Sequence, residues 1–157
     1  MRVLLLVDSF PRRSESFIAN KAMHLAERGH EVRVLAYEPP EYELDADTLA
    51  RAAGRLTVER LPQDRVSSRQ LPQFALALVT AFRRDPRFMR RLVTILRSRY
   101  GTTRSMLARL HRLSAFAGQP TDILHVEFAH IAARHVEVLQ AMDCPTLVSC
   151  RGALVKA

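Results

Sequence analysis

The apolar positions of the chain follow two different periods. Val3–Val7 is an unbroken apolar run that stops at Asp8, the pattern of a strand buried on both faces. Beyond the polar loop Asp8–Ser14 the spacing becomes helical, with Ile18, Ala22, Leu25 and Ala26 on one face. Ser14 is placed to cap a helix over Glu15–Arg28, with Glu15 in its first turn, and Gly29 stops it. Glu31–Ala36 then alternates through Val32, Val34 and Ala36, as a second strand does. Strand, loop, helix and strand make one βαβ unit, which aims a loop and a helix N-terminus at whatever lies beyond the first strand.

The alternation continues along the chain. Pro39-Pro40 and the acidic stretch Glu41–Asp47 form a loop, followed by a short helix near Thr48–Ala53, a third strand Leu56–Arg60 and a loop through Arg69. Three helices come next. Pro72 sits in the first turn of one that runs to Phe82, with Phe74, Leu78 and Phe82 on a face. Asp85-Pro86, a cap followed by a first-turn proline, opens a helix to Tyr100 that Gly101 stops. Thr102 or Thr103 opens the third, which carries Met106, Leu110, Leu113 and Ala117 along one side and ends at Gly118. Ile123–Val126 is a strand, Ala129–Met142 a helix and Pro145–Cys150 a strand. There is no internal repeat and no low-complexity segment. The expected fold is α/β: a single Rossmann-like domain with a parallel sheet of about five strands and helices on both faces. Ligands bind such sheets beyond the carboxyl ends of the strands, where Asp8–Ser14, His125–His130 and the chain from Cys150 onward would meet.

Composition supports one globular domain. A chain of 157 residues that is 48% hydrophobic can bury a core. No run approaches the ~18 apolar residues of a membrane span. The N-terminal apolar run is shorter than the ~7–15 residues of a signal-peptide core and ends at an acid. A cytoplasmic location is expected, with room for peripheral attachment to the inner face of the membrane. Cys144 and Cys150 make no disulfide framework and read as buried thiols. His130 and His135 lie five apart, poor same-face spacing on a helix, so no metal site is expected.

Charge changes the picture by its position. Ten arginines and a single acid, Asp85, lie between Phe82 and Arg112, a local +9, while the rest of the chain has 14 basic and 15 acidic residues. Arg83, Arg84, Arg87, Arg90, Arg91 and Arg97 alternate with Phe88, Met89, Leu92, Ile95 and Leu96 to give a basic amphipathic surface. Anionic lipid head groups fit it, and a solvated face is the plainer alternative. Nucleic acid fits the charge, but stacking aromatics are scarce and no recognition motif is present.

Each of the three loops has a chemical and a structural reading. In Phe10–Ile18 the helix-start amides could hold a phosphate or a sugar oxygen, or Pro11 and Ser14 could simply shape a turn. No glycine-rich phosphate motif is present, which argues against a dinucleotide or ATP site. In the second loop, a period of two gives His125 and Glu127 one direction. Together they could bind hydroxyls or move a proton, making them the candidate catalytic pair, or His125 could be structural. In the third, Gly152 permits close backbone approach beneath Arg151, or the two form a plain turn.

The string Phe10-Pro11-x-x-Ser14-Glu15-Ser16-Phe17-Ile18 resembles a signature of the N-terminal domain of GT-B-fold, family 4 glycosyltransferases of the polysaccharide-assembly type. Leu25-x-x-x-Gly29-His30-Glu31-Val32, Asp122-Ile123-Leu124-His125, Phe128-Ala129 and Ser149-Cys150-Arg151-Gly152 follow in matching order over nearly the whole chain. The resemblance implies two Rossmann-like domains around a cleft, the first binding the acceptor and the second the nucleotide-sugar. It also implies metal-free hexosyl transfer with retention and no cofactor beyond the donor substrate. The acceptor would be a glycan or a lipid-linked, membrane-proximal molecule, and a donor-binding domain would be supplied in cis or in trans. Phe10, Pro11, Ser14, Glu15, Ser16, Arg151 and Gly152 would contact substrate. Glu127 stands where many members have the second histidine of a His-x-His pair, and Leu154 where many have the aspartate of Gly-x-Asp. The competing class is a stand-alone Rossmann-like module that docks on an anionic membrane or a protein partner. On the family reading the donor half lies outside these 157 residues, so they are expected to transfer no sugar alone. Incubation with radiolabelled nucleotide-sugars and oligosaccharide acceptors checks this, and label appearing in acceptor refutes it.

Overall fold

A computed structural model of the chain describes residues 1–62, 71–118 and 120–150. They form two compact units. The first holds Met1–Arg60, Thr121–Arg134 and residues 144–150; the second holds the described part of Leu61–Pro120 together with His135–Asp143.

The first unit is an α/β domain built on one five-stranded, all-parallel sheet flanked by helices. Its strands are β1 (Arg2–Ser9), β2 (Glu31–Glu38), β3 (Leu56–Arg60), β4 (Ile123–Val126) and β5 (Thr146–Val148), in the order β3-β2-β1-β4-β5. Leu5 of β1 is opposite Val34 on one side and His125 on the other. The apolar run forces this central place, because it leaves no polar face to turn to water. Val3, Leu5 and Val7 form a core with Val32, Val34 and Ala36 of β2 and with Ile18, Ala22 and Ala26 of α1 (Ser16–Glu27). Leu4 and Leu6 are equally buried on the opposite face. This arrangement is Rossmann-like, as the alternation of elements implies. Between β1 and β4 the connections diverge to opposite halves of the sheet, which is where such folds open a crevice.

Several local expectations are corrected. Ser14 caps nothing: a 3-10 turn, Arg13–Glu15, precedes α1, and no side chain caps either element. Just ahead of Ser14, the Arg13 amide is bound by Glu41. The short helix α2 is Ala46–Arg51, set two residues earlier than its spacing suggests because Asp45 accepts the Thr48 amide. The single helix expected over Ala129–Met142 breaks at His135 (φ −126°, ψ 28°). Burial of both His135 and Glu137 overrides the helical propensity there. The cysteines are not buried: Cys144 is half-buried and Cys150 exposed, because β5 is a short edge strand.

The second unit is helical, with α3 (Leu71–Arg84), α4 (Pro86–Tyr100), α5 (Arg104–Leu113) and, after α6 (Ala129–Arg134) of the first unit, α7 (Val136–Ala141). Its start signals hold. Asp85 accepts the Phe88 amide at 2.9 Å, Thr103 accepts that of Met106 at 3.3 Å, and Gly101 ends α4. Phe88, Met89, Leu92 and Leu96 of α4 are buried, as are Met106, Leu110 and Leu113 of α5. Among the described residues no helix is long and apolar enough to cross a membrane.

Glu137 of α7 is the buried charge of this unit. Its carboxylate accepts from Tyr100 Oη at 3.0 Å and from Arg109 Nη2 at 3.2 Å, with Arg99 Nε at 3.7 Å. Burial pushes this carboxyl up, but its own backbone amide, the Arg109 charge and the Tyr100 hydroxyl outweigh that and hold it below the ordinary value. A carboxyl lowered on folding stabilises above its unfolded pKa, and that contribution is lost as the pH falls through the folded value. Glu137→Ala should therefore cost about 3 kcal/mol at neutral pH, the low end for a broken buried pair because Arg99 reaches solvent. Urea midpoints of the wild type and the variant should converge as the pH drops below about 4.

Candidate functional site

Polar side chains of the first unit gather at the carboxyl edge of β1 and β4. Since both faces of β1 are apolar, its chemistry can only sit at an end. Asp8 and Ser9 close the strand, and Glu127 follows β4 directly, its amide donating to the Leu6 carbonyl at 3.1 Å.

Glu127 is fully buried. Its Oε1 accepts from Lys21 Nζ of α1 at 2.5 Å and lies 4.0 Å from His125 Nε2, while Oε2 has no hydrogen-bond partner. His125 Nε2 is also 2.9 Å from Ser149 Oγ. The shared direction of His125 and Glu127 expected from the strand period is realised. A carboxylate buried this deeply requires a counter-charge, and Lys21 supplies it by holding α1 to the end of β4.

A second pair lies alongside. His130 Nε2 of α6 is 2.7 Å from Asp8 Oδ2, and Arg134 Nη1 approaches Asp8 Oδ1 at 3.9 Å. A carboxylate only accepts, so Nε2 donates in this contact. The Arg134 guanidinium also covers the Tyr37 ring at 5.6 Å.

The loop after β1 is closed by its own chain. Glu41 Oε2 accepts the Arg13 amide at 3.0 Å and Oε1 accepts from Arg12 Nε at 3.0 Å, while the Glu41 amide donates to the Pro11 carbonyl at 3.0 Å. The Arg13 amide pulls the Glu41 carboxyl below its ordinary value, and Arg12 adds to this. Arg12 Nη1 also reaches Glu15 Oε1 at 3.2 Å, while Glu15 Oε2 is buried without a partner. Burial raises the Glu15 carboxyl; Arg12 opposes the shift, and Asp8, Glu41 and Glu127 reinforce it. The position where a Rossmann-type fold ordinarily receives phosphate thus holds a carboxylate of the protein on its amide and a second one at the start of α1.

Among the substrate-binding candidates, Ser14 and Ser16 are exposed and Glu15 is half-buried. Phe10 enters the core beside Ile18, and Pro11 is buried after a cis Phe10–Pro11 peptide. Both shape the loop. Arg151 and Gly152 lie outside the described residues. Arg83, Arg84, Arg87, Arg90, Arg91 and Arg97 belong to the other unit, on α3 and α4, and are exposed. Sequence reasoning passed over Lys21, Glu41 and the Asp8–His130 pair. A signal did exist for Lys21, one of two lysines in a chain that otherwise uses arginine. Among the described residues no group of three or more His, Cys, Asp or Glu side chains is arranged to hold a metal ion.

No family model, curated protein or solved structure matches the chain.

If Lys21 neutralises Glu127, then Lys21→Met should lower stability by about 3 kcal/mol, since it strands a buried carboxylate. Lys21→Met/Glu127→Leu should recover most of that loss, as chemical denaturation would report.

Proposed function

We propose that the carboxyl edge of the first unit is the acceptor-side surface of a retaining, GT-B-type family 4 glycosyltransferase, and that it receives the hydroxyls of a glycan or lipid-linked acceptor. The observation that carries this reading is Glu127, fully buried at the end of β4 with Oε1 on Lys21 and Oε2 without a partner. A buried acceptor atom left unpaired is costly, and a donating ligand relieves that cost. Glu15 Oε2 presents the same demand from the other loop. Sugar hydroxyls donate; phosphates do not. The Glu41 carboxylate on the Arg13 amide weighs further against an anionic ligand at this helix start.

On this reading Glu127 accepts from an acceptor hydroxyl, with His125 and Ser149 beside it, and Lys21 keeps the carboxylate in place. The His130–Asp8 pair offers a second, oriented hydrogen-bonding group at the same edge. The nucleotide-sugar belongs to the facing domain that the family resemblance implies. The Phe-Pro-x-x-Ser-Glu-Ser-Phe-Ile string supports the family; the unpaired carboxylates support the chemistry.

Ligand-observed NMR with a panel of neutral oligosaccharides and with UDP tests the reading. Oligosaccharide signals should attenuate on adding the chain, UDP signals should not, and Glu127→Gln should weaken glycan binding at least tenfold, roughly the loss of one charged hydrogen bond. Strong UDP binding that Glu127→Gln abolishes, or glycan binding untouched by it, would overturn the assignment.

A further inference from the structure

The second unit carries a surface that the acceptor reading does not use. Helix α3 has no acid along its length, and Leu76, Val79 and Phe82 are 67%, 47% and 37% exposed. Beside them runs an apolar groove of about 560 Å³, lined by Phe74, Ala75, Leu78, Val79, Phe82 and Arg83. Single exposed apolar residues are ordinary, but three at successive helical spacings over about two turns are not.

The chain passes from this stripe straight into arginine. Arg83 and Arg84 end α3, Asp85 is spent capping α4, and Arg87, Arg90, Arg91 and Arg97 follow. Spacings of three, one and six residues put those four on one side of α4, together with Thr94 and Ser98, opposite the buried Phe88, Met89, Leu92 and Leu96. The arginines of this unit divide by role. Arg99 and Arg109 turn to Glu137, and Arg91 reaches Asp143 at 3.3 Å. Arg83, Arg87, Arg90 and Arg97 are exposed, and among the described residues none of them is paired with an acid.

We infer that α3 and the exposed side of α4 dock on an anionic lipid bilayer surface. The inference is independent of the acceptor reading, since it uses residues of the other unit. Both halves of the surface match this occupant. Aliphatic side chains on a helix without acids enter the boundary between head groups and acyl chains, and guanidinium groups pair with lipid phosphates. Nucleic acid would use the arginines but has no use for Leu76 and Val79. A protein partner would have to cover the apolar stripe and also bring acids to three or more arginines.

Co-sedimentation with vesicles of phosphatidylcholine alone, and of phosphatidylcholine and phosphatidylglycerol in equal parts, tests the inference on the 157-residue chain. The wild type should pellet with the anionic vesicles and stay in solution with the neutral ones. Arg87→Glu/Arg90→Glu/Arg97→Glu should lower the partition coefficient at least a hundredfold, at roughly fivefold per arginine lost. Leu76→Gln/Val79→Gln should weaken binding while keeping its dependence on phosphatidylglycerol. Circular dichroism confirms that each variant is folded, and Arg87→Gln/Arg90→Gln/Arg97→Gln, with a smaller loss, serves if charge reversal unfolds the chain. The inference fails if wild type binds both vesicle types equally, binds neither, or is unaffected by the arginine substitutions. It also fails if the chain ignores vesicles and binds duplex DNA with steep salt dependence.

Discussion

Burial of β1 on both faces is the constraint from which the first unit follows. Leu4, Leu5, Leu6 and Val7 are all excluded from solvent, so the strand has to lie between partners and below helices. A strand with no polar face can display chemistry only at its ends. Asp8 and Ser9 therefore stand where the sheet stops, and the loops after β1 and β4 bring Lys21, His125, Glu127 and His130 to the same edge. The position of the candidate site is thus a by-product of core packing. What is specific to this chain is which polar groups were placed there and how they are paired.

Those pairings explain both what could be read in the sequence and what could not. The apolar run of β1, the alternation of Val32, Val34 and Ala36 in β2, the Asp85-Pro86 start, the Gly101 stop and the Thr103 cap are decided within a few residues, and all appear in the structure. Ser14 was misleading because it lies inside the 3-10 turn Arg13–Glu15, one turn ahead of α1, in a loop that Glu41 holds from 28 residues away. The break at His135 was hidden because the burial of its neighbour Glu137 depends on Tyr100 and Arg109. Asp8–His130 and Lys21–Glu127 join positions 122 and 106 residues apart, and no local periodicity encodes them. The direction shared by His125 and Glu127 was legible, since it needs only the pleat.

The two units use charge in opposite ways. At the carboxyl edge of the sheet, acids and bases are interleaved and mostly satisfied internally, leaving single carboxylate oxygens of Glu15 and Glu127 unpaired. In the helical unit one buried carboxylate collects two arginines, while Arg87, Arg90, Arg91 and Arg97 are exposed on a helix whose inner side is apolar. Net charge alone conceals this, because the excess sits almost wholly between Phe82 and Arg112.

The strand order β3-β2-β1-β4-β5 also has a consequence in time. β1, β2 and β3 are complete by Arg60, but β4, which pairs with the free side of β1, does not begin until Ile123. At a synthesis rate of roughly 5–20 residues per second the most apolar strand of the sheet waits several seconds with an open edge. The strand that organises the finished sheet is, on the ribosome, the one most exposed to pairing with the wrong neighbour.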